Sequence, residues 1–183
     1  MSGTHEILFA GFGGQGILLM GQILAQAAIY DKKNVSWIPS YGHEMRGGTA
    51  SCSVIISDEV IGSPLVDNPT LLVPMNQPSY AKFEPAVEAG GMIIANSTLV
   101  SGVSSRGDIS MRRVPMNDIA ASINEKALNI VGLGAVVALG KVVSKESVLR
   151  AIDKVFGKKF ADRPQVLAMN KDAFEKGYAA ATA

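Results

Sequence analysis

Two short segments hold most of the residues whose types and spacing can do chemistry. The first is Gly11-Phe12-Gly13-Gly14-Gln15-Gly16, in which Gly11, Gly13 and Gly16 fall at the G-x-G-x-x-G spacing. Glycines at those places permit a tight turn. A helix starting after Gly16 would offer free N–H groups and a positive dipole end to an anion. A phosphate site is therefore feasible. The plainer alternative is that the glycines only let the helix pack close to a sheet. A full dinucleotide fingerprint also needs an acid at the end of the second strand to hold ribose hydroxyls. That place holds Ser36-Trp37-Ile38-Pro39-Ser40, with no carboxylate, and Asp31 falls before the strand. A P-loop is excluded, because no Lys-Ser/Thr pair follows the last glycine.

The second segment is Ser40-Tyr41-Gly42-His43-Glu44-Met45-Arg46-Gly47-Gly48-Thr49. It lies past the C-terminal end of the second predicted strand, the edge where open α/β sheets bind ligands. Arg46 offers a bidentate fork for carboxylate or phosphate, and Glu44 could orient it or a partner's group. The structural alternative is a local Glu44–Arg46 ion pair that fixes the loop. His43 titrates in the range useful for acid–base work, but without a visible partner it reads as solvent-exposed. Cys52, on the strand that follows, reads as a small buried apolar residue. No nucleophile–base pair can be drawn. One thiol and two distant histidines, His5 and His43, give no metal constellation, no internal disulfide and no four-thiolate iron–sulfur cage.

These segments need a frame. Ile7 to Ala10 reads as a buried strand. Ile17 to Asp31 has apolar or small residues at 17, 20, 21, 24, 27 and 28, the spacing of one buried helical face. Val35 to Ile38 reads as a second strand, completing a β-α-β unit. Pro39 to Thr49 is a polar connection. Ala50 to Ile56 is a strand, and Asp58-Glu59 is expected to turn into Val60-Ile61 as a hairpin. Thr70 to Met75 and Met92 to Ala95 continue the sheet around a helix from Pro78 to Ala89, which Gly90-Gly91 ends. Val114 to Met116 is a brief strand, and Asn117 or Asp118 is expected to cap a helix running to Lys126. The last third is helical: Asn129 to Val143, Ser144 to Phe156 and Pro164 to Tyr178. Glycines at 132, 134 and 140 weaken the first of these helices and predict close packing against a neighbour. The expected fold is α/β, three-layer, with a mostly parallel sheet carrying a hairpin and a helical C-terminal third.

The 183 residues fit one domain spanning 1–183. Apolar residues make up 48% and charged residues only 18%, against roughly 25% in an average soluble domain. A surface this short of charge predicts burial against a partner. With a net charge of +1 and no basic stripe, a nucleic-acid role has no electrostatic footprint. The apolar run from Ile130 to Gly140 is too short to cross a membrane, and the N-terminus lacks the marks of a signal peptide. A cytoplasmic protein is expected.

Taken together the two segments resemble the gamma subunits of 2-oxoacid:ferredoxin oxidoreductases. The likeness is carried by Gly11 to Ile17 and Pro39 to Gly48. It continues through Ile55-Ile56-Ser57, Ile61-Gly62-Ser63-Pro64 and Asn129 to Ala135, and so covers essentially the whole chain. The resemblance implies assembly with alpha and beta subunits, sometimes with a ferredoxin-like delta subunit. It implies that no cofactor is bound by this chain alone: thiamine diphosphate with Mg, and the iron–sulfur clusters, belong to partner subunits. Such a complex decarboxylates a 2-oxoacid, transfers the acyl group to coenzyme A and passes electrons to ferredoxin. The motifs look most like the 2-oxoglutarate branch, ahead of branched-chain 2-oxoacids and pyruvate. Gly11, Gly13, Gly14, Gln15, Gly16, Ser40, Tyr41, Glu44, Arg46 and Gly47 then become candidates for coenzyme A or a subunit interface, with no catalytic residue among them. Two other readings stay open: a stand-alone dinucleotide-binding oxidoreductase and a ligand-free assembly module. An isolated chain could also form a homodimer through its orphaned interface.

Overall fold

A computed structural model describes residues 3–41 and 49–182, apart from the side chains of residues 41, 158 and 159. Six strands form one mixed sheet in the order β2-β3-β1-β4-β5-β6. They are β1 (His5–Phe12), β2 (Asn34–Tyr41), β3 (Thr49–Ser57), β4 (Leu71–Pro74), β5 (Met92–Asn96) and β6 (Ser110–Val114). β1, β4, β5 and β6 run parallel, while β3 is antiparallel to both β1 and β2. β3 is thus the single reversed strand, and the hairpin of the fold is β2–β3. The sequence reading put the hairpin one element later. After Ser57 the chain instead leaves the sheet, and Val60, 90% exposed, joins no strand.

The β-α-β unit also differs from expectation in one respect: β2 does not lie beside β1, because β3 sits between them. The cause is the short link from Tyr41 to Thr49, which returns the chain antiparallel along β2 and into the open edge of β1. The registers run without a break, Phe12 opposite Thr49 and Gly11 opposite Ala50, with Ala50 opposite Tyr41.

Six helices cover the sheet: α1 (Ile17–Tyr30), α2 (Gln77–Phe83), α3 (Met116–Ala121), α4 (Leu128–Gly140), α5 (Lys145–Lys159) and α6 (Pro164–Thr182). The alternation along β1 shows two faces at work. Ile7 and Phe9 join the large core with α1, α3, α4, α5 and α6. Leu8 points the other way, into a smaller core with Tyr80 of α2. The architecture is α/β with helices on both faces and a helical C-terminal third. α2 is shorter than the predicted Pro78–Ala89 helix because a 3-10 turn over Glu84–Ala86, with Pro85 in it, ends it. Neither Asn117 nor Asp118 caps α3. Pro115 precedes its first turn, and Asn124 caps the next 3-10 turn by accepting from Lys126 N–H at 2.9 Å.

The glycines of α4 do what their number predicts. A Cβ on Gly134 would lie 2.2 Å from the carbonyl oxygen of Phe174, and one on Gly177 would lie 2.0 Å from that of Val131. α4 and α6 cross there backbone to backbone, and ten of α4's thirteen residues are buried. Gly134 thus accommodates a helix of the same chain, while Gly132 faces the side chains of Met20, Met75 and Met116, and Gly140 that of Leu71.

Candidate functional site

The glycine segment forms a turn that closes on itself. Gln15 N–H donates to Phe12 O at 3.1 Å, and Gln15 Oε1 accepts from Phe12 N–H at 2.7 Å. The same Oε1 accepts from Asn76 Nδ2 at 3.0 Å, and Gln15 Nε2 donates to Met75 O at 3.3 Å. Gln15 is therefore a strut between the ends of β1 and β4, with both ends of its amide used. Gly14 and Gly16 carry φ of 99° and 72°, a conformation that an L side chain resists. Gly16 ends the turn and starts α1, which no side chain caps and which has no acid in its first turn. Among the described residues, no side chain caps the free N–H groups at this positive end.

This turn forms one wall of a cavity of about 650 Å³. Gly14, Gln15 and Gly16 face Asn117, Asn124 and Asn129, and Asn170 closes the depth beside apolar Phe156, Val166 and Met169. Lys126 and Arg163 stand exposed on its border, with Glu125 the single carboxylate among the lining residues. Asn129 is 5% exposed, touches the Gly16 turn and makes no hydrogen bond through its side chain among the described residues. Its amide opens onto the cleft, where a ligand or water can meet it. Below the cavity, Asn96 Nδ2 donates to Asn117 Oδ1 at 2.7 Å and to Met75 O at 3.4 Å. Its Oδ1 is buried and unpaired. The cleft is thus an amide-rich pocket with cations at its mouth and an apolar back wall, suited to a ligand carrying an anion and an apolar group.

The predicted site residues divide. Gly14, Gln15 and Gly16 line the large cavity, while Gly11 is packed against Gln15 and Ile17 inside the fold. Ser40 lies elsewhere, in a smaller cavity of about 230 Å³ with Thr49, Ser51 and Lys82 on the α2 side of the sheet. Tyr41 ends β2 beside Ala50. His43, Glu44, Arg46 and Gly47 lie outside the described residues. What the strand register does establish is that the ends of this link, Tyr41 and Thr49, share the sheet edge with the glycine turn. Sequence reasoning missed the asparagines and the two border cations. They come from α3, α4, α6 and the links before α4 and α6, which no local motif ties to the glycines. Three asparagines between 117 and 129 were the available signal.

Cys52 is fully buried, and burial pushes its thiol up to about 12, against a smaller opposing hydrogen bond from Trp37. It is inert as a nucleophile or thiolate ligand at neutral pH. Among the described residues, no group of three His, Cys, Asp or Glu side chains could hold a metal ion.

The family model for Pyruvate ferredoxin/flavodoxin oxidoreductase matches residues 6–180. The chain belongs to this family. A ketoisovalerate oxidoreductase subunit VorA from Methanothermobacter thermautotrophicus is 43% identical over 174 residues, covering 94% of this chain and 35% of that protein. The chain thus spans about a third of that relative's length. A 2-oxoglutarate synthase subunit KorC from Methanocaldococcus jannaschii is 40% identical over 177 residues, covering 94% of this chain and 91% of the other. Among solved structures, the gamma subunit of a keto/oxoacid ferredoxin oxidoreductase from Geobacter sulfurreducens superposes with a TM-score of 0.81. It is 34% identical, with 97% of this chain and 98% of that one covered. A 2-oxoglutarate:ferredoxin oxidoreductase from Magnetococcus marinus, with 2-oxoglutarate, coenzyme A and succinyl-CoA bound, gives a TM-score of 0.88. It is 25% identical, over 98% of this chain and 31% of that one. The family therefore uses this unit both as a separate subunit and as about a third of a longer chain. No helix among the described residues is long and apolar enough to cross a membrane.

Proposed function

We propose that the chain is the gamma subunit of a thiamine diphosphate-dependent 2-oxoacid:ferredoxin oxidoreductase. The complex oxidatively decarboxylates a 2-oxoacid, with 2-oxoglutarate favoured, to the acyl-CoA and passes electrons to ferredoxin. Alpha and beta subunits hold thiamine diphosphate and Mg. Iron–sulfur clusters lie in partner chains, with a ferredoxin-like delta subunit in some assemblies. This chain contributes assembly and a place for coenzyme A. The observation that carries the reading is the near end-to-end match to a separate 2-oxoglutarate synthase subunit together with the cleft at the start of α1. Coenzyme A carries several phosphates, a flat adenine ring and an amide-containing arm that ends in a thiol. The free N–H groups after Gly16, Asn129, Lys126 and Arg163 are the groups of this chain that would meet its phosphates, with Arg46 from the Tyr41–Thr49 link. No acid on β2 is available for a ribose, which leaves the dinucleotide reading without support.

The test is anaerobic co-expression of the chain with thiamine-binding subunits, purification of the assembly, and dye reduction with a panel of 2-oxoacids. Coenzyme A-dependent reduction that is strongest with 2-oxoglutarate is the expected result. Failure of the chain to join any thiamine-binding subunit would overturn the subunit reading. Assembly with full activity that ignores substitutions in the cleft would reduce the chain to an assembly module.

A further inference from the structure

A second groove runs along the outer side of α1, away from the glycine turn. Leu19, Ala25 and Ile29 of α1 face Val35 and Trp37 of β2 and Val155 of α5 across a groove of about 590 Å³. Ile29 is 54% exposed and Trp37 39% exposed, both large apolar side chains left in solvent. From Leu19 to Ile29 the groove follows α1 for ~15 Å, the length of about three helical turns. Leu19 also lines the large cavity, so the groove ends beside the cleft at that residue.

The rim is cationic. The Arg150 guanidinium lies 4.0 Å from the Tyr30 ring centroid and Lys154 Nζ 5.9 Å from the same ring, with Lys154 also donating to Gln26 Oε1 at 2.8 Å. Neither cation forms an ion pair among the described residues, and no Asp or Glu lines the groove. Glu146 stands one helical turn before Arg150 on α5, and the other acids nearby are engaged elsewhere. Asp31 accepts from Ser144 and Ser147, and Asp153 pairs with Lys171 of α6 at 2.6 Å. A strand laid along the β2 edge would find no donor at Pro39. A second copy packed on this groove through a two-fold axis would offer the two cations a patch with no lining carboxylate to meet them, which is unfavourable.

We propose that this groove docks an amphipathic helix of a partner subunit, its apolar face on Trp37 and Ile29 and its carboxylates against Arg150 and Lys154. The proposal rests on the subunit reading above. Aromatic anchors with a charged rim are the usual composition of such contacts, the rim acting mainly on association. The experiment compares three variants of the chain, each co-expressed with the thiamine-binding subunits: Ile29→Glu, the double change Arg150→Glu with Lys154→Glu, and Val103→Glu on the exposed loop before β6, at the opposite sheet edge. The double change alters exposed side chains only, and thermal melting of the chain alone checks its fold. The groove variants are expected to weaken association on the order of tenfold or more, with the double variant's defect largest at low salt. Val103→Glu is expected to assemble as wild type. Groove variants that assemble like wild type would overturn the proposal while leaving the subunit reading intact. A wild-type chain that joins no thiamine-binding subunit would overturn both. A chain that dimerises alone, is split by Ile29→Glu and still enters the complex would show the occupant to be a second copy, against this proposal.

Discussion

Replacing Gly16 by alanine would place a methyl group at a φ of 72° and 2.7 Å from the Asn129 side chain. The left-handed backbone alone costs a non-glycine residue roughly 1–2 kcal/mol, and the overlap adds to it. Gly16→Ala is expected to lower unfolding free energy by about 1–3 kcal/mol in urea titration. The glycine spacing was legible in the sequence because a turn into a helix is a local event. The role of Gln15 was not, since its strut to Asn76 and Met75 spans about sixty positions and nothing near residue 15 announces it. Asn129 was read as the start of a helix. That its amide lies buried at the Gly16 turn depends on how α4 is seated, which local periodicity does not reveal.

Between elements, two helix contacts make predictions of opposite sign. Gly177 meets the Val131 backbone, which cannot move aside as a side chain can, so Gly177→Ala must push α6 off α4. A loss of more than about 3 kcal/mol is expected, with dye-binding apolar surface exposed. Gly157 in α5 has open space where a Cβ would go, and Gly157→Ala should stabilise by about 0.5–1 kcal/mol. Equal effects at both sites would refute the α4–α6 crossing. At the joint between α1 and α5, Asp31 accepts from the Ser144 backbone N–H and from the hydroxyls of Ser144 and Ser147. Burial raises its pKa, but these hydrogen bonds and Lys33 outweigh it, so the carboxyl sits below its ordinary 3.8. A depressed carboxylate stabilises above the unfolded value and loses that contribution as pH falls through the folded one. Asp31→Asn removes the charge and one acceptor oxygen from these hydrogen bonds and should therefore cost about 1 kcal/mol at pH 7. The gap to wild type should close below about pH 4 in pH-dependent thermal melts. The long helices and the start of α5 at Ser144 were readable from period, while the ends of α2 and α3 were not. The place of β3 between β1 and β2 was not, because strand patterning sets which face is buried and leaves the choice of neighbour to the link that follows.

At the scale of the whole molecule, low charge and a single inert thiol fit a chain that completes a site rather than carrying one. The cleft at the head of α1 presents dipole, amides and two border cations, while the groove along α1 presents apolar surface and two more. If the first serves coenzyme A and the second serves assembly, their substitutions must separate. Lys126→Ala and Arg163→Ala remove exposed charges, where solvent screening reduces a phosphate contact to about 1 kcal/mol. Each should then raise the apparent KM for coenzyme A by about 3- to 10-fold in the reassembled complex, with kcat and subunit association unchanged. Asn129→Ala, which removes a buried amide, should raise it further if the amide meets the ligand. It should leave KM unchanged and alter only stability if its role is structural. Arg46→Ala belongs with the first group and is expected to raise the coenzyme A requirement or weaken assembly. A result in which all four changes leave both KM and association at wild-type values would remove coenzyme A from this edge of the sheet. It would leave the free N–H groups of α1 to a partner's carboxylate instead.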